Sequence, residues 1–465
     1  MVDLSKEFED FYNNHVVLSR KDQNELRKKK NTNIKRLKNG LLEYNKENGT
    51  SYSVADTLVQ GSMAMYTVVQ NDKKDYDIDV AIIFDKGNLG SDTGAIKAKN
   101  IVCEALKKKC TQLKNEPEVR KNCVRVSYTD GYHIDFAVYR RYKKNSWDDD
   151  YTYEHAGPQQ WGERNPKAIN EWFSDEIDSK GIVLRKMIRL SKMFCKSRDT
   201  WGEMPGGLIQ TVVCDEKIAT SYDRLDEIFY HTMKAVNNRL KWNVEVYNPT
   251  DTTKSLNTVQ SHYDKMDRWK NHLDTELSKL DEVLLDEDAE EADVKEAWYN
   301  FFNHEYWNEE KAISESCDFS KSIYSYTDTE QFIEDLVDDC TEQYFVDVTC
   351  KVKANCIHDW LYREEFLDKY PMFKKVIPRG LSIELKMIKT NVPEPYSVWW
   401  KVRNVGEEAY KRNCIRGQIE KNKGKTKYEN SDFKGSHYVD CYIIKDNKCV
   451  ARECVDVTIG NDSLE

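Results

Sequence analysis

The residues best suited to chemistry in this chain are Gln60-Gly61-Ser62, Asp77-Ile78-Asp79 and, further on, Asp135. Gly61 has no Cβ, so backbone N–H groups beside it can approach phosphate oxygens closely. Ser62 offers a hydroxyl donor to the same oxygens. Asp77 and Asp79 stand at i and i+2, which on a strand turns both carboxylates to one face. Asp135 is a single acid inside the apolar run Tyr132-His133-Ile134-Asp135-Phe136-Ala137-Val138-Tyr139. An acid there is costly unless paired, hydrogen-bonded or metal-bound. Clustered carboxylates suit hard cations such as Mg2+ or Mn2+. Two such ions can hold the attacking and leaving oxygens of an in-line displacement at phosphorus. On this reading Asp77, Asp79 and Asp135 are the catalytic, metal-ligating acids. Asp135 is also the base for an attacking hydroxyl.

These residues need strands to hold them. Val80-Ala81-Ile82-Ile83-Phe84 is an apolar, β-favouring run. Val124-Arg125-Val126-Ser127-Tyr128 is a second strand, joined through Gly131 to the strand carrying Asp135. A helix is predicted over Thr93–Lys114, with Ile96, Ile101, Val102, Ala105 and Leu106 as its apolar stripe. Another is predicted over Lys21–Glu47, with Arg27-Lys28-Lys29-Lys30 on a solvated face. Strands with helices on one side make an α/β core.

The following block is helical. Pro158–Asn165 reads as a loop before a helix with Ile169, Trp172 and Phe173. A helix over Ile182–Cys195 places Lys192 among apolar neighbours, either as a snorkelling lysine or as a clamp for a triphosphate. Pro205-Gly206-Gly207 breaks the chain before a helix from Leu208, and Thr258–Trp307 is helical again. The polar stretch Glu310–Tyr326 marks a domain boundary, giving domains of residues 1–315 and 316–465. Beyond it lie alternating strands at Phe345–Val352, Leu381–Met387, Ser397–Asn404, His437–Ile444 and Cys449–Ile459. Asp446-Asn447 is a hairpin turn between the last two. This texture predicts a small β-sandwich.

Composition narrows the class. The chain has 465 residues, 33% charged and 39% hydrophobic, and a net charge of −10, which argues against a constitutive nucleic-acid binder. No run of eighteen apolar residues and no signal-peptide pattern are present, so the expected location is cytoplasmic, away from membranes. The thirteen cysteines lack any Cys-x-x-Cys spacing. They read as free thiols, and His437, Cys441, Cys449 and Cys454 as core residues rather than a zinc site.

With Gln60-Gly61-Ser62, Thr67, Asp77-Ile78-Asp79, Asp135, Asn165-Pro166-Lys167, Trp172-Phe173 and Arg189-Leu190-Ser191-Lys192 in this order, the chain resembles the CD-NTases. These are cyclic-oligonucleotide synthases of the polymerase-β-like nucleotidyltransferase fold. The resemblance covers roughly Leu4–Trp307. It implies two Mg2+ (or Mn2+) ions on Asp77, Asp79 and Asp135, a donor triphosphate on Gln60, Gly61 and Ser62, and charge neutralisation by Lys192. Many relatives carry a serine where this chain has Pro205-Gly206-Gly207. Residues Thr327–Gly460 resemble the adenylyl/guanylyl and SMODS C-terminal sensor domain, through Pro395-Tyr396, Trp399–Asn404, Gly406, Arg416-Gly417, Lys434-Gly435, His437-Tyr438-Val439 and Ala451-Arg452. That implies a regulatory ligand, for which Trp400, Arg403, Arg416 and His437 are the candidate contacts.

The leading expectation is an enzyme that joins nucleoside triphosphates, ATP and/or GTP, into a cyclic di- or trinucleotide with release of pyrophosphate. The resemblance implies a role in anti-phage (CBASS) defence, with the diffusible product switching on a separate effector. A linear oligonucleotide synthase, or a transferase tagging RNA or protein with a nucleotide, uses the same three acids. A sensor or scaffold with a degenerate core is the third reading.

Overall fold

The computed structural model describes residues 1–308 apart from 72–75, 91 and 146, and residues 331–463 apart from 332, 334–335, 338–339, 341–343, 354–359, 371–375, 406–407, 410–411 and 413. The chain divides into two compact units, Met1–Ser322 and Ile323–Glu465. The boundary expected at 315/316 lies outside the described residues.

The first unit begins with helix α1 (Ser5–Phe11), a π-helical turn (Tyr12–Val16) and the long helix α2 (Arg20–Asn48). Ser19 caps α2 by accepting the Asp22 N–H at 3.1 Å, and Gly49 ends it in the left-handed region at φ 63°. Then follow β1 (Asp56–Gln60), the short α3 (Gly61–Ala64), β2 (Tyr76–Asp85), α4 (Lys86–Leu89), α5 (Ala95–Lys109), β3 (Glu118–Val119), β4 (Val124–Ser127), β5 (Tyr132–Tyr142), β6 (Thr152–Ala156) and β7 (Trp161–Glu163). Among the described residues these strands form one seven-stranded sheet in the order β1-β2-β5-β4-β3, with β6 on β5 and β7 on β6. The β2–β5 pair is parallel and its neighbours are antiparallel.

Alternation along β2 and β5 sends Ile78, Val80, Ile82, Phe84, Ile134, Phe136 and Val138 to one face. There they pack with Leu37 and Leu41 of α2 and Ala98, Ile101, Val102 and Leu106 of α5. Gly40 lets α2 touch α5, since a Cβ on it would stand 1.8 Å from the Ala105 carbonyl oxygen. Three expectations need correction. Ile96 is not in the stripe but 49% exposed. The Pro158–Asn165 loop contains β7. The basic run is not a solvated face: Arg27 and Lys30 are buried, and Lys29 pairs with Asp130 at 2.6 Å while lying 4.2 Å over the Tyr128 ring.

A helical lobe completes the unit. It comprises α6 (Ala168–Lys180), α7 (Val183–Lys196), α8 (Gly207–Lys217), α9 (Leu225–Trp242), the ribbon β8 (Tyr247–Asn248) and β9 (Asp251–Ser255), α10 (Gln260–Leu284) and α11 (Glu291–Phe302). Its core takes in Phe8 and Phe11 of α1 with Trp298, Phe302 and Trp307, so both ends of the unit are knitted together. Phe8 meets the Trp298 ring edge-on at 4.7 Å.

The second unit is a β-sandwich. One sheet runs β11 (Leu361–Tyr362), β10 (Val346–Lys353), β13 (Ser382–Thr390), β16 (Thr426–Asn430). The other runs β12 (Ile377–Arg379), β18 (Lys448–Ser463), β17 (Gly435–Lys445), β14 (Ser397–Arg403), β15 (Arg416–Glu420). Helix α12 (Arg363–Lys369) follows β11. Val346, Ile383 and Leu385 of one sheet and Trp400, Val439 and Cys441 of the other share a single core. The β17–β18 hairpin turns at Asp446-Asn447, both at positive φ (50° and 56°).

Candidate active site

Register assembles the acidic residues. Asp79 on β2 is aligned with Asp135 on β5, with Gln60 on β1 to one side and Arg125 on β4 to the other. One row across the sheet is therefore Gln60, Asp79, Asp135, Arg125. Asp77 lies two residues along β2, aligned with His133. Because side chains alternate, all the acids project from the face opposite α2 and α5. Asp77 is exposed, whereas Asp79 and Asp135 keep only partial solvent contact. Burial and the neighbouring charges of Asp135 and Asp77 push the Asp79 carboxyl up to about 6.

Gly61 closes directly onto this row. It sits at φ 64°, and a Cβ there would lie 2.2 Å from the Asp79 Oδ2. The turn is pinned from several sides. Gln60 donates its amide to the Pro166 carbonyl at 2.7 Å, and Asn170 donates to the Val59 carbonyl at 3.0 Å. Gln60 also hydrogen-bonds the Tyr139 hydroxyl. The Ser62 carbonyl accepts the Thr67 N–H at 2.8 Å. From α7, Arg185 donates to the Met65 carbonyl at 3.2 Å, and Lys192 donates to the Thr67 hydroxyl at 2.8 Å and carbonyl at 3.1 Å. Lys192 is 6% exposed, so it is not a snorkelling lysine; it braces the phosphate-loop candidate through Thr67. A Cβ on Gly207 would stand 3.2 Å from its Nζ, so the Gly206-Gly207 break makes room for it. Burial first, and then Lys196 and Arg189, lower the Lys192 ammonium to about 7.

Two groups beside the acids escaped the sequence reading. Arg125 forks onto Asp135, with Nε at 2.7 Å from Oδ1 and Nη2 at 2.7 Å from Oδ2, and reaches Asp77 at 3.4 Å. The Cys123 thiol hydrogen-bonds Asp135 as well. A signal for Arg125 was available: it alternates with Val124 and Val126 in an apolar strand, so it must share a face with any acid aligned on the next strand.

The donor set fits divalent cations. Three carboxylates on neighbouring positions offer oxygen ligands, and their mutual repulsion at Asp79 is what an added cation relieves. In this structure the guanidinium of Arg125 supplies that positive charge. Among the described residues no three His, Cys, Asp or Glu side chains converge as a ready-made metal cage.

The candidate regulatory residues are dispersed in role. Trp400 is fully buried in the sandwich core and donates Nε1 to the Gly424 carbonyl at 2.8 Å. Trp399, on the opposite face of β14, packs with Ile333 and Val337. His437 is buried, accepting the Val405 N–H at 3.0 Å through Nδ1 and lying 3.0 Å from the Phe433 carbonyl through Nε2. Arg403 and Arg416 are aligned neighbours: Arg403 donates to the Arg416 carbonyl at 2.7 Å, and Arg416 pairs with Glu429 at 2.6 Å. Gly406 lies outside the described residues.

Comparison with known proteins agrees with this division. Residues 55–139 match the cyclic GMP-AMP synthase DncV-like nucleotidyltransferase domain, and residues 327–460 match the adenylyl/guanylyl and SMODS C-terminal sensor domain. A cyclic GMP-AMP synthase of Escherichia albertii is 20% identical over 419 residues, spanning 86% of this chain and 84% of its own. Among solved structures, Vibrio cholerae DncV in its apo form is similar with a TM-score of 0.51 and 15% identity, over 64% of this chain and 95% of that one. The same enzyme with the linear intermediate 5′ pppA(3′,5′)pG gives a TM-score of 0.50 and 16% identity, over 63% and 93%. The aligned acids and the glycine turn against them lie in the part of the chain that matches a DncV-like nucleotidyltransferase domain, and with the matched AGS-C sensor domain behind it they support the resemblance of this nucleotidyltransferase to the CD-NTases.

Proposed function

We propose that this enzyme condenses nucleoside triphosphates, ATP and/or GTP, into a cyclic di- or trinucleotide messenger with release of pyrophosphate. The observation that carries the reading is the row of Asp79 and Asp135 in register, with Asp77 beside it and Gly61 closed against Asp79. Similarity to a cyclic GMP-AMP synthase supports the cyclic product. In this reading Asp77, Asp79 and Asp135 would hold two Mg2+ or Mn2+ ions. Those cations, when bound, supply charge neutralisation at the attacking and leaving oxygens. The Gly61 and Ser62 turn orients the donor triphosphate through backbone N–H groups and a hydroxyl. Gln60, Lys192 and Arg185 keep that turn in place, since their own bonds go to Pro166, Thr67 and Met65. Lys192 adds positive charge beneath the loop whenever it is protonated. Asp135 receives the proton of the attacking ribose hydroxyl.

We assign the messenger to anti-phage defence in the cytoplasm, acting on a separate effector, with a ligand at the C-terminal sensor domain setting activity. Among the described residues no helix is long and apolar enough to cross a membrane.

The test is turnover of each α-labelled triphosphate by the full chain with Mg2+ or Mn2+, phosphatase treatment and mass spectrometry, with Asp79→Ala as the blank. A phosphatase-resistant product absent from the blank is expected. Label moving onto RNA or protein would replace this reading by the tagging one. No nucleotide consumed, even with cell or phage lysate added, would overturn it.

A further inference from the structure

Arg125 occupies the ground a metal ion needs. A guanidinium that forks side-on onto a carboxylate engages both of its oxygens. Arg125 does this to Asp135 at 2.7 Å and 2.7 Å while its Nη2 lies 3.4 Å from the Asp77 Oδ1. The Cys123 thiol makes a further hydrogen bond to Asp135. The lone pairs that would bind a divalent cation are thus held by donors of the protein itself. The placement follows from the sheet: Arg125 is aligned with Asp135 on the adjacent strand, and Asp135 with Asp79 on the next. The strand backbone fixes where the stem of Arg125 begins, but its side chain remains 27% exposed, against 14% for Asp135 and 53% for Asp77. The guanidinium can therefore leave by side-chain rotation, with no strand disturbed.

We propose that Arg125 is the resident counter-ion of the acidic row: it holds Asp135 in the metal-free enzyme, and a divalent cation enters by exchanging with it. The guanidinium keeps Asp135 and Asp77 from repelling one another before substrate arrives. It also sets a threshold, since a cation must outcompete an intramolecular partner. This rests on the reading of Asp77, Asp79 and Asp135 as metal ligands. Arg125 acts through Asp135 and is a positioning residue.

The test uses full-length, EDTA-treated and dialysed protein without nucleotide, titrated with Mn2+ while free Mn2+ is read by electron paramagnetic resonance. Wild type, Arg125→Met, Arg125→Lys and Asp79→Asn are compared at low ionic strength. Removing one positive charge from beside the acids should tighten Mn2+ binding about tenfold in Arg125→Met. Arg125→Lys, which keeps the charge but loses the fork, should fall between. Melting temperatures give the second readout: metal-free Arg125→Met should melt below wild type, and Mn2+ should raise it by more. Mn2+ affinity in Arg125→Met equal to or weaker than wild type overturns the proposal, and, with Asp79→Asn failing to bind, leaves the acids as ligands. Affinity unchanged by Asp79→Asn overturns the ligand assignment and the proposal with it. Should Arg125→Met not fold, an affinity in Arg125→Lys no tighter than wild type overturns the proposal.

Discussion

At the scale of single residues, the centre depends on one missing methyl group. Gly61→Ala must place a Cβ where the Asp79 Oδ2 now lies, in a backbone region that L-residues avoid. Turnover should drop by about a hundredfold or more while the melting temperature stays within a few degrees of wild type. Kinetics with a parallel melt checks both halves. Lys192 gives a pH-dependent prediction. Its ammonium is lowered from 10.5 to about 7, so the fold favours the neutral form. The stability gained from that is complete above pH 10.5 and is lost as pH falls towards 7. Lys192→Met has nothing to protonate. Its melting temperature should therefore rise relative to wild type, by several degrees, between pH 10 and pH 7. A difference that does not change with pH would mean Lys192 stays charged in the fold. The acids and the Gly-Ser turn were legible in the sequence because their types and spacing are unusual in apolar strands. The bonds from Lys192 to Thr67 and from Arg185 to Met65 were not, because they join positions far apart in the chain.

At the scale of elements, the sheet is held in place by α2 and α5, which touch through Gly40. Gly40→Ala drives a Cβ into the Ala105 backbone, which cannot give way like a side chain. A loss of about 2 kcal/mol or more is expected, measured by denaturant unfolding. Helices α2 and α7 were readable within a residue or two, since α2 is long and α7 strongly amphipathic. The short β7 and the ribbon of β8 and β9 were missed, and α9 was not singled out. Two- and three-residue strands carry almost no period of their own and exist because a neighbour pairs with them. In the sandwich, β10, β13, β14, β17 and β18 were visible as alternating runs. β15 and β16, five residues each, were not, because their mostly polar sequences offer little apolar alternation to read.

At the scale of the whole molecule, each unit has a core of its own. Calorimetry of the intact enzyme should therefore resolve two transitions. Trp400→Ala, which empties a fully buried site in the sandwich, should lower one of them by about 3–5 kcal/mol. Gly40→Ala should lower the other. A single transition shifted alike by both variants would contradict this. The division into an α/β unit and a β-rich unit was readable from the change of texture along the sequence, whereas the role of each sensor residue depends on which face of β14 or β17 it takes. The parallel pairing of β2 with β5 has one more consequence, for the time at which the enzyme comes into being. Asp79 and Asp135 meet only after the intervening helices and strands have folded back to bring β5 alongside β2. Such non-local closure is slow compared with helix formation. A chain still leaving the ribosome, with Asp77 and Asp79 exposed but Asp135 not yet made, has no complete centre. The order of β2 and β5 along the chain thus withholds the assembled acidic row from unfinished protein.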